Sequence, residues 1–235
     1  MTTNIANNQS FFVTGTDTDV GKTFVSTLLL SSLNEMGYST LGFKPISAGC
    51  ERTQEGLRNE DALLLKAASS VEADYDHVNP IAFEPPIAPH IAAQEQDVII
   101  NLLDLQLHFE KIKEYGAQRT LIEGAGGWRL PINDKQYLSD FAIQNQLPVV
   151  LVVGMRLGCL NHAMLSYQAL VSDQLNCVGW IANQLSADMP YYEQNKATLQ
   201  RALGAPLLAQ VPFAESADKA VLEKTECFDE VFRCL

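Results

Sequence analysis

Short apolar runs alternate along this chain with longer segments of helical periodicity. The apolar or β-branched runs predict strands at residues 11–14, 40–44, 120–122, 149–153, 178–182 and 207–211. Apolar positions at helical spacing predict helices at 22–36, 99–115, 160–171 and 191–203, and Asn59 begins a further helix. The polar segment 49–58 and the proline-rich segment 79–90 are predicted to be loops.

The order of these elements predicts the fold class. Continuous apolar strands separated by helices are typical of a parallel sheet that is covered on both faces. No linker, repeat or block of like charge divides the 235 residues. We therefore expect a single α/β domain with a mostly parallel β-sheet, helices on both faces and right-handed crossovers.

Composition and charge narrow the classes of partner. The chain is 47% hydrophobic and 19% charged, which excludes intrinsic disorder, and its net charge is −12. Without a basic stripe, neither nucleic acid nor a membrane surface is an expected partner. Five cysteines without CxxC spacing, a polar and uncharged segment at 1–10, and no apolar run of ~20 residues favour a cytoplasmic protein without a signal peptide or membrane span.

The strongest motif is the segment VTGTDTDVGKT at residues 13–23. It follows the first strand and opens the first helix, which is the context of a phosphate-binding P-loop. The spacing departs from the usual pattern, because Thr16 stands where Gly or Ala is common and Gly15 comes one place earlier. Unpaired backbone N–H groups would face a phosphate, Lys22 would supply a cation, and the Thr23 hydroxyl could bind Mg²⁺.

Three charged residues could complete a phosphoryl-transfer site. Glu123 and Lys44 end predicted strands, and Asp61 opens a helix. Ligands of open α/β sheets bind beyond the carboxyl ends of the strands, so Lys44 and Glu123 should face one crevice with the P-loop. The pattern alone leaves Lys44 and Glu123 open to interpretation as solvated strand ends, and it favours Asp61 as a first-turn acid. Two lysines and Mg²⁺ at one γ-phosphate would suit an acceptor that is already anionic.

A set of ordered motifs resembles the dethiobiotin synthetase family. The resemblance extends from residue 11 to about residue 213, and its motifs are TGTDTDVGKT (14–23), GFKP (42–45), GLRNEDA (56–62), PH (89–90), EGAGGW (123–128), VVGMRLGCLNHA (152–163), GWIAN (179–183) and VP (211–212). It implies a P-loop NTPase fold and the ATP-dependent closure of a cyclic urea in biotin synthesis. The implied substrates are 7,8-diaminononanoate and CO₂, and ADP and phosphate are released from a carbamic-phosphoric anhydride.

The resemblance also implies roles for individual residues. Lys44 and Lys22 would be catalytic, and the implied Mg²⁺ ligands are Thr23, Asp61 and Glu123. The implied nucleotide contacts are Asp19, Val20, Gly21, Lys22, Thr23, Phe24, Asp61, Glu123, Gly124, Ala125, Gly126, Asn183, Gln184, Val211, Pro212 and Phe213. The implied substrate contacts are Thr18, Lys44, Ser47, Ala48, Gly158, Cys159, Leu160 and Asn161. The family is homodimeric, so the segment that begins at Gly158 would receive the substrate's tail carboxylate across the interface.

Two positions depart from the family pattern. Ala48 stands where the family often has a substrate-contacting hydroxyl, and the hydroxyl of Ser47 lies next to it. Gln184 replaces an acid that often follows Asn183, which weakens the case for adenine contacts there.

Cys159 at a helix start could have a lowered pKa, although packing at an interface is the simpler interpretation. Trp128 and Trp180 are most simply core or interface residues, although Trp128 could line the site.

Two other classes of protein compete with this interpretation. One is a P-loop switch ATPase that acts on protein partners, a class that carries an extra lysine early in the loop, where this chain has Asp17. Such proteins often have a basic or amphipathic end, whereas the segment 220–235 is mixed and acidic. The other is an amide-forming synthase of the cobalamin type, which normally carries an appended glutaminase domain. The segment from residue 215 onward receives no role.

Overall fold

Eleven strands and nine helices make up the computed structural model, which describes residues 9–214 and 219–235. The strands are β1 (Gln9–Gly15), β2 (Thr40–Phe43), β3 (Ile46–Ser47), β4 (Glu51–Thr53), β5 (Gly56–Arg58), β6 (Ile81–Ala82), β7 (Arg119–Gly127), β8 (Val149–Met155), β9 (Cys177–Gln184), β10 (Leu207–Val211) and β11 (Glu223–Lys224). The helices are α1 (Lys22–Glu35), α2 (Glu60–Ala68), α3 (Tyr75–Val78), α4 (Pro89–Glu95), α5 (Leu102–Lys113), α6 (Leu138–Gln144), α7 (Cys159–Ser172), α8 (Tyr192–Ala202) and α9 (Phe228–Cys234).

A seven-stranded sheet in the order β11-β10-β9-β8-β1-β7-β2 forms the centre of the molecule. Neighbouring strands run parallel except β11, which pairs antiparallel with β10. Alternate residues of β1 enter different apolar clusters, with Phe11 and Val13 in one and Phe12 in another. The sheet is therefore buried on both faces, and the predicted parallel α/β fold is confirmed.

Several short elements differ from the sequence-based expectation. The predicted loop 49–58 contains the hairpin β4–β5, and the predicted loop 79–90 contains β6 and the start of α4 at Pro89. Proline is tolerated in the first turn of a helix, which explains why the proline-rich segment ends in one. Neither α6, β11 nor α9 was expected. Segments this short carry too few turns or alternations to give a periodic signal.

Longer elements agree with expectation to within a few residues. Strand β7 is the exception, because it continues past the predicted end through the glycine-rich segment to Gly127. Within the described residues, no helix has the length and apolar character needed to cross a bilayer. Residues 1–8, on which the expectation about a signal peptide largely rests, lie outside the described part, as do residues 215–218.

The topology brings the chemically active motifs to one edge of the sheet. Strands β1, β7 and β2 are adjacent, with Val13 opposite Glu123 and Phe43 opposite Ile122. The P-loop follows β1, Lys44 follows β2, and Glu123 lies within β7. All three therefore lie at the carboxyl end of the parallel strands, where α/β proteins bind their ligands.

Candidate active site

The P-loop occupies the turn between β1 and α1. Gly21 precedes the first helical residue, Lys22, and its φ of 79° lies in the left-handed region, which glycine adopts without strain. A Cβ atom on Gly21 would collide with the side-chain nitrogen of Asn183. That nitrogen donates to the carbonyl of Val20 at 2.9 Å. Asn183, near the end of β9, therefore stabilises the conformation of the P-loop through this hydrogen bond.

Lys22 is held close to the loop from which it extends. Its ammonium group donates to the carbonyl oxygen of Asp17 at 3.2 Å, and only 8% of the residue is exposed. Burial, together with the positive charge of Lys44, lowers the pKa of Lys22 to about 8. The loop thus holds a partly desolvated cation that an anionic ligand would stabilise.

A buried ion pair lies beside the P-loop. The ammonium nitrogen of Lys44 is 2.6 Å from Oε1 of Glu123 and 3.3 Å from Oδ2 of Asp61. It also donates to the carbonyl of Gly124 at 3.1 Å. Lys44 is 3% exposed and Glu123 is fully buried, so neither is the solvated strand-end residue that the pattern had left possible.

The charges of this cluster are mutually dependent. Burial opposes ionisation of Lys44, but the carboxylates of Glu123 and Asp61 outweigh it and raise its pKa above the ordinary value. Burial also opposes ionisation of Asp61, but Lys44, the Thr23 hydroxyl and Lys22 together outweigh it and lower the pKa of Asp61. The Thr23 hydroxyl donates to Oε1 of Glu123 at 2.8 Å. The other carboxylate oxygen, Oε2, is buried and has no hydrogen-bond partner.

An open cavity of about 770 Å³ joins these groups. It is lined by twelve of the residues proposed from the sequence, namely Thr18, Asp19, Gly21, Lys22, Thr23, Phe24, Lys44, Ser47, Ala48, Asp61, Ala125 and Gly126. No sequence motif assigned a ligand role to the six other lining residues, namely Asn59, Pro86, Ile87, Ala88, Pro89 and Leu130. The resemblance motifs PH (89–90) and GLRNEDA (56–62) contain Pro89 and Asn59, and they were the signal that could have pointed to these two residues.

The remaining proposed site residues lie outside the walls of this cavity. Glu123 lies behind it and reaches it through Thr23 and Lys44. Val211 pairs with Asn183 across neighbouring strands, so the proposed adenine contacts converge at the ends of β9 and β10. Gln184 directs its side-chain nitrogen to the carbonyls of its own turn, at Ser186 and Ala187.

Four proposed substrate contacts begin a different helix. Gly158 is the N-terminal cap of α7 with a φ of 94°, and it is followed by Cys159, Leu160 and Asn161. None of them lines the cavity. Burial raises the pKa of the Cys159 thiol, so the lowered pKa considered for a helix-start cysteine is wrong here.

The side chains of Ser47 and Trp128 are buried and hydrogen-bonded within the protein. Ser47 is 2% exposed, and its hydroxyl donates to Oδ1 of Asn79 at 2.8 Å, so it is already used within the protein. Trp128 packs edge-on against Phe12, with ring centroids 5.9 Å apart, and its indole nitrogen donates to Asp173. Trp128 is therefore a core residue and does not line the cavity.

Solved structures with a similar fold are P-loop proteins of low sequence identity. The MinC:MinD cell division protein complex of Aquifex aeolicus superposes with a TM-score of 0.53 at 15% identity, covering 96% of this chain and 86% of that chain. The cell division protein FtsY of Thermotoga maritima gives a TM-score of 0.53 at 15% identity, covering 95% and 68%. At such identity the likeness concerns the fold alone.

Sequence comparisons are far closer. A family model described as AAA domain matches residues 9–221. The ATP-dependent dethiobiotin synthetase BioD of Aeromonas salmonicida is 50% identical over 214 residues, covering 91% of this chain and 95% of the relative. The protein of the same name from Cellvibrio japonicus is 52% identical over 204 residues, covering 87% and 89%. This chain therefore belongs to the AAA domain family and to the family of ATP-dependent dethiobiotin synthetases.

Proposed function

We propose that this protein uses ATP to close the cyclic urea of dethiobiotin from 7,8-diaminononanoate and CO₂. One amine adds to CO₂ and loses a proton to form a carbamate. A carbamate oxygen then attacks the γ-phosphorus of ATP, and the bond from that phosphorus to ADP breaks. The second amine attacks the carbonyl carbon and loses a proton as phosphate departs. The observation that carries the proposal is that Lys22 and Lys44 line one cavity beside the P-loop.

The positive charges of Lys22 and Lys44 suit a phosphoryl acceptor that is anionic before phosphoryl transfer begins. A carbamate needs charge neutralisation and not deprotonation, and Lys44 is held in its charged form by two carboxylates. Lys22 and Lys44 would orient the carbamate and offset the charge that develops on the transferring phosphoryl group. Thr18 and Ala48 would contact the substrate at the cavity wall, while Ser47 would support that wall through its bond to Asn79.

The P-loop would bind the phosphates of ATP. The backbone N–H groups of residues 19–24 and the start of α1 would face the β- and γ-phosphates. Gly124, Ala125 and Gly126 would let a second stretch of backbone approach the ligand. Asn183, Gln184, Val211, Pro212 and Phe213 would surround the adenine. The amide nitrogens of Asn183 and Gln184 donate to backbone carbonyls of the protein, so their amide oxygens would be the atoms that accept from the exocyclic amine of adenine.

The oxygen donors of this site fit Mg²⁺. Thr23, Asp61 and Glu123 offer hydroxyl and carboxylate oxygens. The unpartnered Oε2 of Glu123 is an acceptor that could bind an ion directly or accept a hydrogen bond from a water bound to the ion. No group of three or more His, Cys, Asp or Glu residues suited to a metal occurs in the described parts of the chain. The nucleotide phosphates would therefore supply the remaining ligands. When bound, Mg²⁺ would neutralise charge on the β- and γ-phosphate oxygens.

A homodimer would complete the substrate site. Gly158 and the start of α7 lie outside the cavity of their own chain, which agrees with a role toward a partner subunit. Leu157 is fully exposed and Leu165 on α7 is 58% exposed, so apolar surface flanks this helix start. The tail carboxylate of the substrate would be received there by backbone N–H groups, near the positive end of the helix dipole.

Replacement of Lys44 tests the proposal directly. In Lys44→Ala the production of cyclic urea, followed by mass spectrometry, should fall by at least ~100-fold, since charge stabilisation in the transition state is lost. Binding of ADP, measured by calorimetry, should persist because the P-loop is unchanged. Lys111→Ala, which removes an exposed lysine paired with Glu114, is the control. Full activity of Lys44→Ala would exclude Lys44 from the mechanism.

A second assay separates this function from that of a switch ATPase. ATP hydrolysis should require both the diamine and bicarbonate. Hydrolysis that ignores both compounds, without cyclic urea, would favour a switch that acts on protein partners. Asp17, at the position where such proteins carry an extra lysine, instead pairs with Arg156 of its own chain at 2.6 Å. The acid at this position, in place of that lysine, supports the synthetase.

A further inference from the structure

A hydrogen-bond network lies next to the Lys44–Asp61 pair and extends from the cavity wall, at Ser47, into the protein interior. Its centre is Asn79, which follows α3 and is 3% exposed. The side-chain nitrogen of Asn79 donates to the carbonyl of Lys44 at 2.7 Å. Its Oδ1 accepts from the hydroxyls of Ser47 at 2.8 Å and Tyr75 at 3.1 Å. Both the nitrogen and the oxygen of this amide thus have hydrogen-bond partners within the protein.

The backbone of Lys44 is fixed on both sides by the same short helix. Its N–H donates to the carbonyl of Val78 at 2.8 Å, and its carbonyl accepts from Asn79. Lys44 follows the end of β2, where the sheet no longer restrains the chain. The residues at the end of α3 therefore replace the strand ladder at the position from which the lysine side chain extends.

Tyr75 connects this network to the other member of the pair. Its hydroxyl accepts from the backbone N–H of Asn59 at 2.7 Å while it donates to Asn79. Asn59 caps α2, accepting from the N–H of Ala62, and Asp61 lies in the first turn of that helix. One phenol thus links the segment that carries Lys44 to the helix start that carries Asp61.

We propose that Tyr75 and Asn79 are positioning residues that set the distance between Lys44 and Asp61. Neither lines the cavity, so neither touches the reacting groups. Their hydrogen bonds join two segments that are 17 positions apart. These segments also meet through the 3.3 Å ion pair and through the side-chain nitrogen of Asn59, which donates to the carbonyl of Ala48 at 3.4 Å. Farther from the ion pair, α2 packs on β2, where the N–H of Gly42 donates to the hydroxyl of Ser69 at 2.8 Å. The inference rests on the proposed function, because the importance of the distance depends on phosphoryl transfer at Lys44.

Tyr75→Phe is the decisive variant, because it removes one hydroxyl and keeps the ring that packs under Arg58. We expect kcat for cyclic urea formation to fall by about tenfold, as for the loss of one or two buried hydrogen bonds. The KM for ATP and the affinity for ADP should stay within about twofold, since the P-loop is untouched. Asn79→Asp, which removes the donor to Lys44 and keeps the acceptors, should lower kcat in the same way.

Tyr115→Phe is the matched control. It removes a hydroxyl that contacts the same region from another side, at the N–H of Asp74 and at His77, without reaching Lys44 or Asp61. Its kcat should equal that of the wild type. A crystal structure of Tyr75→Phe should show a separation between Lys44 and Asp61 greater than 3.3 Å.

The possible outcomes are separable. Unchanged kcat in Tyr75→Phe, an equal fall in Tyr115→Phe, or a joint loss of ADP affinity and melting temperature would overturn the positioning role. If the wild type forms no cyclic urea, the proposed function fails. In that case the Lys44–Asp61 distance in the Tyr75→Phe crystal structure still decides the positioning role.

Discussion

Single side chains at the site derive their properties from burial. A lysine removed from water must find a partner or lose its proton, because desolvating a charge costs several kcal/mol. Lys44 has Glu123 and Asp61 as partners, and its pKa is raised. Lys22 has the backbone oxygen of Asp17 and a second ammonium group nearby, and its pKa is lowered to about 8. Two lysines that look equivalent in the sequence are thus different acids in the fold.

The pKa of Lys22 predicts how nucleotide affinity depends on pH. Below pH 8 the group is protonated and can bind phosphate, and above pH 8 the free protein loses this charge, so the affinity for ATP should fall. Between pH 8 and the ordinary value of 10.5 the unfolded chain holds more protons, so the contribution of Lys22 to stability increases with pH in that window. Calorimetric titration with ATP from pH 7 to 9.5 measures the first effect.

Lys22→Arg provides the comparison, since guanidinium keeps its charge throughout this range. Its nucleotide affinity should be weaker in absolute terms but flat with pH between 7 and 9.5. An affinity that declines equally in both proteins would assign the pH dependence to another group.

At the scale of the elements, the carboxylate of Asp173 connects the C-terminal end of α7 to the residues that follow the glycine-rich end of β7. Asp173 accepts from the indole nitrogen of Trp128 at 2.7 Å and from Arg129 at 2.6 Å. Trp128 and Arg129 directly follow Gly127, the last residue of β7. The residues that follow the segment 124–127 are therefore held by the C-terminal end of α7, the helix whose N-terminal cap is Gly158.

Asp173→Ala should destabilise the protein by about 1–3 kcal/mol, because it leaves the buried indole N–H of Trp128 without an acceptor. Asp173→Asn retains one acceptor and loses only a partly exposed ion pair, so its cost should be below ~1 kcal/mol. Urea unfolding followed by tryptophan fluorescence measures both. Equal stability of the two variants would show that the Trp128 bond contributes nothing.

At the scale of the whole molecule, the C-terminal helix α9 contributes to the hydrophobic core. Phe228 and Phe232 of α9 are fully buried, and Phe232 meets Phe11 of β1 edge-on with ring centroids 5.5 Å apart. Arg119, at the start of β7, donates to the carbonyl of Phe232 at 3.1 Å. Although the sequence analysis gave this region no role, it covers the face of the sheet on which α1 also packs.

Phe232→Ala should therefore lower the free energy of unfolding by about 3–5 kcal/mol, as for other large aromatic side chains removed from a core. Val221→Ala, at a position that is 58% exposed, should change it by no more than about 0.5 kcal/mol. Chemical denaturation of both variants tests this difference. A small effect of Phe232→Ala would mean that α9 is not part of the cooperative core.

The local signals for the long elements were strong enough to predict most of the fold. Apolar runs such as 149–153 and the helical spacing of 22–36 predict their own conformation, because a buried strand or an amphipathic helix needs that pattern. The P-loop was likewise visible, since its glycines, lysine and threonine lie within one short segment, residues 15–23. The elements that were missed, including α6 and α9, are stabilised by contacts from distant segments, such as that between Phe232 and Phe11.

The amino-acid order alone was sufficient for the parallel α/β class, the P-loop and the resemblance to dethiobiotin synthetases, because these depend on local periodicity and contiguous motifs. It left open whether Lys44 and Glu123 were solvated, and it gave Tyr75 and Asn79 no role. Those properties depend on segments that fold together in space, where burial forces charges and polar groups to find partners. The 2.6 Å pair of Lys44 with Glu123, 79 positions apart, exists only after β2 and β7 have paired.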